Sequence, residues 1–440
     1  MKKTIFLLAL VLPVCSLVAQ PDPQNLPLED VNLSTVVQLG NSNSALVEQD
    51  GLNNYSFIES LNGGNGNAVQ NHVDQNGGTN YSFINQNKDN TAIVFQTSDQ
   101  LQEHNINFSW IDQSGKRNYA AVTQDHNGTT LGPDKVVLEA YIDQSGNDNT
   151  ATQIQGPAPD AGTRGLYATI DQSGKRNTAF QKQKKDGNYA NTIQEGNDNM
   201  AEQYQDVGAE GLASNNVAFI WQGGNNNQTA VQSQNGEENL AIALVPGNGN
   251  SSYQNQGKDG SETAERNIAV VYQEGNKNAA EQKQYGYENI AGTGQLGNKN
   301  KSTQHQKGVQ NIAVSLQTGN GTVADPQSSF QDQEGERNVA LALQDGNNGE
   351  ATQIQSNQGT AFLPPNVALI IQTGGSGNSA YQEQNIGADF VIPNLAGVYQ
   401  EGSENFSSQI QNGGSNISGV YQNGNLNHAD VTQNSNVILP

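Results

Sequence analysis

The sequence predicts an all-β fold: a β-solenoid of stacked repeats of about twenty-two residues, two strands to each coil, with cross-β-like Asn and Gln ladders inside. Three observations predict it. One rule returns every eleven residues, and residues 267–295 write it without interruption: Asn267, Ala269, Gln273 and Gly275, then Asn278, Ala280, Gln284 and Gly286, then Asn289, Ala291 and Gln295. Glycine two places after Gln suits a backbone that must take positive φ, and its return every eleven residues excludes an amphipathic helix. Between Asn and Gln stand β-branched and aromatic residues, as in Val217, Ala218, Phe219, Ile220 and Trp221; between Gln and the next Asn stand turn formers, as in Ser114, Gly115, Lys116 and Arg117.

Composition alone would read otherwise. Of 440 residues only 33% are hydrophobic, and Gly, Asn and Gln are abundant, which by averages marks a disordered or prion-like chain. A fixed period outweighs averages, because stacked units can each bury a small core. The N-terminus reads as a secretory signal over residues 1–20: Lys2 and Lys3, an apolar run from Ile5 to Val14, and Ala19 before the cleavage point. The run is short for a membrane span, and no other segment is apolar enough for one. Cys15 is the only cysteine, and Val14 before it is larger than a lipoprotein signal sets there. Cleavage leaves a chain with no disulfide, held by backbone ladders. The formal charge of −23 speaks against nucleic acid as a partner and for solubility.

Residues 21–31, with three prolines and no repeat, read as a flexible leader. The repeat tract follows over residues 32–433 as about thirty-two units, and residues 434–440 form a tail. Asn32 and Gln38 open it, then Asn43, Ala45 and Gln49; Ser60 stands where a Gln belongs. The copies at 67–75 and 105–113 set Asn and Gln two residues further apart. From Asn118 to the copy that starts at Asn427 the rule is firm.

Side chains alternate along a strand. Asn, Ala, the residue after next and Gln therefore share one face. The copies at Asn177 and Asn278 put Lys182, Glu281 and Lys283 on the other, and charges cannot occupy a narrow core. The Asn and Gln face points inward. Successive units then differ at the middle inward place. One type carries Gln, as Gln153, Gln181, Gln254, Gln282 and Gln409; the intervening type carries a smaller or aliphatic residue, as Ile220, Ala243, Val271, Ser315 and Val420. Stacked amides hydrogen-bond up such a column and satisfy buried groups that would otherwise cost on the order of 1–3 kcal/mol each.

The outward face of the second type is apolar: Val217, Phe219 and Trp221; Leu240, Ile242 and Leu244; Ile268, Val270 and Tyr272; Val339, Leu341 and Leu343; Val367, Leu369 and Ile371. A stripe of that extent marks an interface, and lateral pairing with another copy or a related subunit is the expectation. The long breaks at 97–104, 125–135, 156–165, 206–215, 257–266, 356–365 and 385–393 all follow the Gln-bearing type, so they share one edge; 318–326 falls on the other.

Residues for chemistry are not assembled. The five histidines lack ligand spacing, and turns such as Glu195, Gly196, Asn197 and Asp198 resemble calcium loops only in residue types common to all turns. The reading is of a non-enzymatic protein with no catalytic residues, no metal and no cofactor.

The rule Gln-x-Gly-x-x-Asn-x-Ala-x-x-x-Gln, as in Gln113, Gly115, Asn118, Ala120 and Gln124 and again in Gln172, Gly174, Asn177, Ala179 and Gln183, resembles the curlin repeat of bacterial functional amyloid subunits. The resemblance covers nearly all of residues 32–433. It implies a secreted, curli-like subunit that crosses the outer membrane through a secretion pore and polymerises end to end into extracellular fibres of a biofilm matrix, with itself and a nucleator as partners. Known major subunits are much shorter and lack the long breaks and the stripe. The alternative is a solenoid adhesin that does not polymerise and binds surfaces or glycans through its loop edge or its stripe.

Overall fold

In a computed structural model the described residues are 6–7, 32–39, 43–51, 53–61, 69–98, 105–126, 136–156, 165–184, 187–205, 215–227, 229–257, 264–322, 325–357, 365–386 and 393–435. The rest of the expected signal, the leader, the last five tail residues and the tips of most long breaks lie outside them. Every described element is a strand, and every described pairing is parallel. The chain forms two compact units, Met1–Val217 and Ala218–Pro440. The boundary falls at the start of the strand Val217–Asn225.

Each unit has two sheets, and the chain visits them in turn. In the first unit one sheet runs from Leu33–Leu39 through Asn54–Leu61, Thr79–Asn87, Asn105–Lys116, Val136–Asn147 and Leu166–Lys175 to Tyr189–Asn197. The other runs from Ser44–Gly51 to Met200–Gln205. In the second unit the first sheet continues the pattern from Leu240–Val245 to Ile417–Asn423, and the second from Ala230–Gln234 to His428–Asn434. Parallel strands need a crossover, and here the facing strand is the crossover. Two strands to a coil is the expected architecture.

The register stacks like on like. Ala269, Gln273 and Gly275 lie beside Ala291, Gln295 and Gly297, and Ala280, Gln284 and Gly286 lie beside Ser302, Gln306 and Gly308. Burial alternates as the charges require. Ala269, Val271 and Gln273 are fully buried, while Ile268, Val270 and Tyr272 between them are half-buried. A one-residue slip would turn all of these inside out.

The turn explains the glycine. Gly275 has φ 105° and Gly286 has φ 95°; a Cβ on Gly275 would lie 1.8 Å from the carbonyl oxygen of Gly297 in the next coil. Left-handed backbone recurs just before each Asn, where Lys277, Glu288 and Lys299 have φ 58°, 55° and 58°. The rule read from sequence holds the first of these positions and misses the second, because it is filled by residues of no single type, charged ones such as Lys277 and Glu288 beside Asn226, Gln310, Ser415 and Leu426.

Two expectations change. The copy at 105–113 is not stretched. Asn107, six residues before Gln113, stacks on Asn80 with its Nδ2 2.8 Å from Asn80 Oδ1. In the copy at 67–75 the Asn place is held by Val69 and the Ala place by Asn71, which pairs with Ala45. The shorter copy uncovers a break at 62–68 that passes from the first sheet to the second, as 318–326 does. The other seven long breaks leave the second sheet and enter the first.

The interior has two compositions. In the first unit Ile58, Ile84, Ile111, Ile142 and Ile170 pack with Val73, Val94 and Val122 into one aliphatic cluster. From Gln153 on, and through most of the second unit, the second sheet inserts Gln instead. Gly275→Ala is expected to destabilise the second unit by about 3 kcal/mol or more, through left-handed strain and a backbone clash. Gly397→Ala, with nothing within 4 Å of its Cβ and no positive φ, is the neutral control. Chemical denaturation of both variants checks the contrast.

Candidate functional site

Three features could carry function: the interior ladders, the corners and the outward faces. The ladders explain why the chain needs Gln and Asn. Gln284 spends its two amide hydrogens on different neighbours. Nε2 donates to Gln306 Oε1 at 2.8 Å in the next coil and to the backbone oxygen of Ile268 at 2.9 Å on the facing sheet. Its own Oε1 accepts from Gln256 at 3.0 Å. Gln282 does the same toward Gln304 and Val270, and Gln273 toward Gln295 and Ser251. One side chain thus ties coil to coil and sheet to sheet. Because the facing partner is a carbonyl, the amide cannot be turned round.

Every such ladder therefore has a direction, with Nε2 toward the C-terminal side. Interruptions confirm it. Gln86 follows Ser60, Gln153 follows Val122, and Gln273 follows Val245, which holds a Gln place. In all three the buried Oε1 has no hydrogen-bond partner.

Asn runs the opposite way. The backbone N–H of Asn278 donates to Asn250 Oδ1 at 2.8 Å in the preceding coil. Its Nδ2 donates to the oxygen of Glu274, closing the turn at 3.1 Å, and to that of Gly297 at 3.0 Å. Asn289 repeats this on Asn267. Aspartate has no Nδ2 to give. Ala269, Ala280 and Ala291 complete the buried set, so the eleven ladder residues read from sequence all stand in one framework.

The corners carry charge in alternation. Arg117 meets Asp148 with two bonds of 2.6 and 2.8 Å, and Arg176 meets Asp198 likewise at 2.5 and 2.6 Å. In the second unit Arg266 bridges Glu238 at 3.3 Å and Glu288 at 2.9 Å, and Gln310 and Arg337 extend the line. These exposed pairs add little stability; a coil shifted by one place would set like charge against like.

The outward faces differ between units. The fifteen stripe residues read from sequence all face outward on the first sheet. The twelve from Leu240 onward fall into three columns of the second unit, to which the register adds Ile290, Ile312, Val314, Leu316, Leu395 and Ile417. Val217, Phe219 and Trp221 lie on the strand that the unit boundary meets. The first unit replaces aliphatics with rings that the sequence reading left out. Tyr55, Phe83, Phe108, Tyr141, Tyr167 and Tyr189 follow one another at 5.0–5.6 Å between centroids.

Beside the rings lies a column of carboxylates, Asp112, Asp143 and Asp171, in direct register. Partial desolvation, reinforced by Asp112 and Asp171, pushes Asp143 up to about 6. Desolvation raises Asp112 and Asp171 too. Among the described residues no group of three His, Cys, Asp or Glu side chains is arranged to hold a metal ion.

Parallel coils joined by in-register Gln, Asn and Gly define a two-sheet β-solenoid built on cross-β ladders. Residues 32–61 match the family model described as Curlin associated repeat. Over that stretch the chain is similar to the repeat of a structural, non-enzymatic family. No curated protein matches it.

Gln284→Glu removes both donors and buries a charge. It is expected to cost about 3 kcal/mol or more at neutral pH and less in acid, where the carboxyl protonates; denaturant titration at two pH values reads this. The aspartate column works on the wild type. A carboxyl raised from its ordinary 3.8 to about 6 in the folded chain holds its proton longer when folded. Stability through this group is fully present below 3.8 and falls as pH rises to about 6. Asp148 and Asp198, held low by their arginines, act oppositely and only under 3.8. Asp143→Asn should therefore gain on wild type between pH ~4 and ~6.5, as measured by unfolding of the full chain.

Proposed function

We propose that the chain is a secreted fibre subunit of the curli type, which polymerises outside the cell by stacking the end coil of one copy on that of the next. The observation that carries this reading is the direction of the ladders. At the C-terminal end Asn416 and Asn427 accept no hydrogen bond at Oδ1 from a described residue, and Gln422 and Gln433 donate to a facing carbonyl but to no further Gln. At the N-terminal end Gln49 donates to Gln75 and Leu33 while its Oε1 accepts from no described residue.

Each end thus offers what the other lacks. Head-to-tail stacking pairs donor with acceptor; head-to-head stacking sets donor against donor. The described strand on the first coil's outer edge is Phe6–Leu7 beside Leu33 and Ser34, inside the segment expected to be cleaved. Unpaired edges of this kind are what monomeric proteins cover. The aliphatic columns then serve as a lateral surface between fibres or toward a related subunit, and a nucleator would present the same ladder ends.

The purified chain, residues 21–440, is expected to form fibres after a lag, to bind thioflavin, and to diffract at roughly 4.8 Å along the fibre axis. A protein that stays monomeric at high concentration by scattering and electron microscopy overturns the proposal and favours an adhesin that does not polymerise.

A further inference from the structure

The coil made by the strands Ile417–Asn423 and His428–Asn434 breaks the pattern of the coils before it. At the middle inward place the second sheet carries Val in the coils of Val47, Val73, Val94 and Val122, then Gln in every coil from Gln153 to Gln409, and then Val431. The change forfeits a ladder bond, since Gln409 is left with the carbonyl of Gly397. Nor does it suit an end that faces water. There a Gln amide would be solvated, whereas Val431 and Ala429 are only half-buried and leave apolar surface open.

The inward residues of this coil, taken in order, are Asn416, Ser418, Val420, Gln422, Asn427, Ala429, Val431 and Gln433. Those of the first coil are Asn32, Ser34, Val36, Gln38, Asn43, Ala45, Val47 and Gln49. The two sets agree in residue type and spacing at all eight places. The neighbours do not share the set: the second coil has Ile58 and Ser60, and the coil before the last has Ala396 and Gln409. The turn fits as well. A Cβ on Gly402 would lie 2.1 Å from the oxygen of Gly424 above it, but over Gly424 itself only Asn427 Nδ2 comes within 4 Å, at 3.6 Å.

The geometry points to a specific joint: the coil 416–433 of one copy docks on the coil 32–49 of a second copy of this chain, in the register that sets Val431 on Val47 and Val420 on Val36. This rests on the fibre reading and goes further by naming the partner surface and its register. Identical residues stacked in register are the most compatible cross-β contact. A slip that set Val431 under a Gln would orphan that amide's oxygen, as Val122 does to Gln153 inside the chain.

The test uses the full chain elongating from sheared wild-type fibres. V431Q should keep its fold by circular dichroism, since Gln409 regains a partner, but raise the critical concentration for elongation at least about tenfold. V47Q on the facing coil should do the same, and the V47Q/V431Q double variant should recover most of the loss in fibres grown from its own seeds. A defect of folding alone would not be rescued in this way. If V431Q elongates with an unchanged critical concentration while wild type polymerises, the joint is overturned and the fibre reading stands. If wild type forms no fibre, both fall.

Discussion

The rest of the fold depends on satisfying a carboxamide that is fully buried between two sheets, as Gln282 and Gln284 are. A Gln side chain brings one acceptor and two hydrogens, and an orphaned buried donor costs on the order of 1–3 kcal/mol. Gln284 resolves this by using one hydrogen upward and one across, to Gln306 and Ile268. That single choice fixes the spacing of coils, the spacing of sheets and the orientation of every amide in the column. The glycine with positive φ follows from it: coils stacked closely enough for amide ladders bring the carbonyl of Gly297 to where a Cβ of Gly275 would be.

Direction is the second consequence. The Gln side chain donates toward the C-terminus and the backbone N–H of Asn toward the N-terminus, so a coil is not interchangeable top for bottom. The corners reinforce it with charge: Glu238, Arg266 and Glu288 alternate through successive coils of one unit. Each coil meets only its neighbours, so stability is close to a sum of coil and interface terms, and the two ends are where that sum is incomplete.

Most of this framework was legible in the sequence because it rests on period and residue type. Asn267, Ala269, Gln273 and Gly275 lie where alternation put them, and the aliphatic face follows from strands whose inward residues were already assigned. The misplaced and missed repeat positions have one physical origin. Where a place is filled by a different residue with the same burial, type no longer reports position. Val69 for Asn and Val245 for Gln hid two places, and Asn105 masqueraded as the start of a copy that Asn107 begins. The second left-handed position was invisible for the opposite reason: Lys277, Glu288 and Arg117 share a backbone conformation and no side-chain chemistry. The rings from Tyr55 to Tyr189 were passed over because adjacency across coils separates them by 22 to 33 residues.

Two demands on the interior explain why it is not uniform. A column of Gln gains a hydrogen bond at every step but must begin and end somewhere, and each beginning orphans an oxygen, as at Gln86, Gln153 and Gln273. A column of Val carries no such debt and can be joined at any step, at the loss of the bonds that fix direction. The chain places Val at the middle position in its first four coils and again at Val431, and keeps Gln between them. The outer inward places, by contrast, retain Gln49 and Gln433 at the two ends. An end coil so composed presents directional amides at its margins and a tolerant aliphatic contact at its centre. In the proposed joint the amides would select which end approaches, and the valines would supply the apolar contact that holds it there.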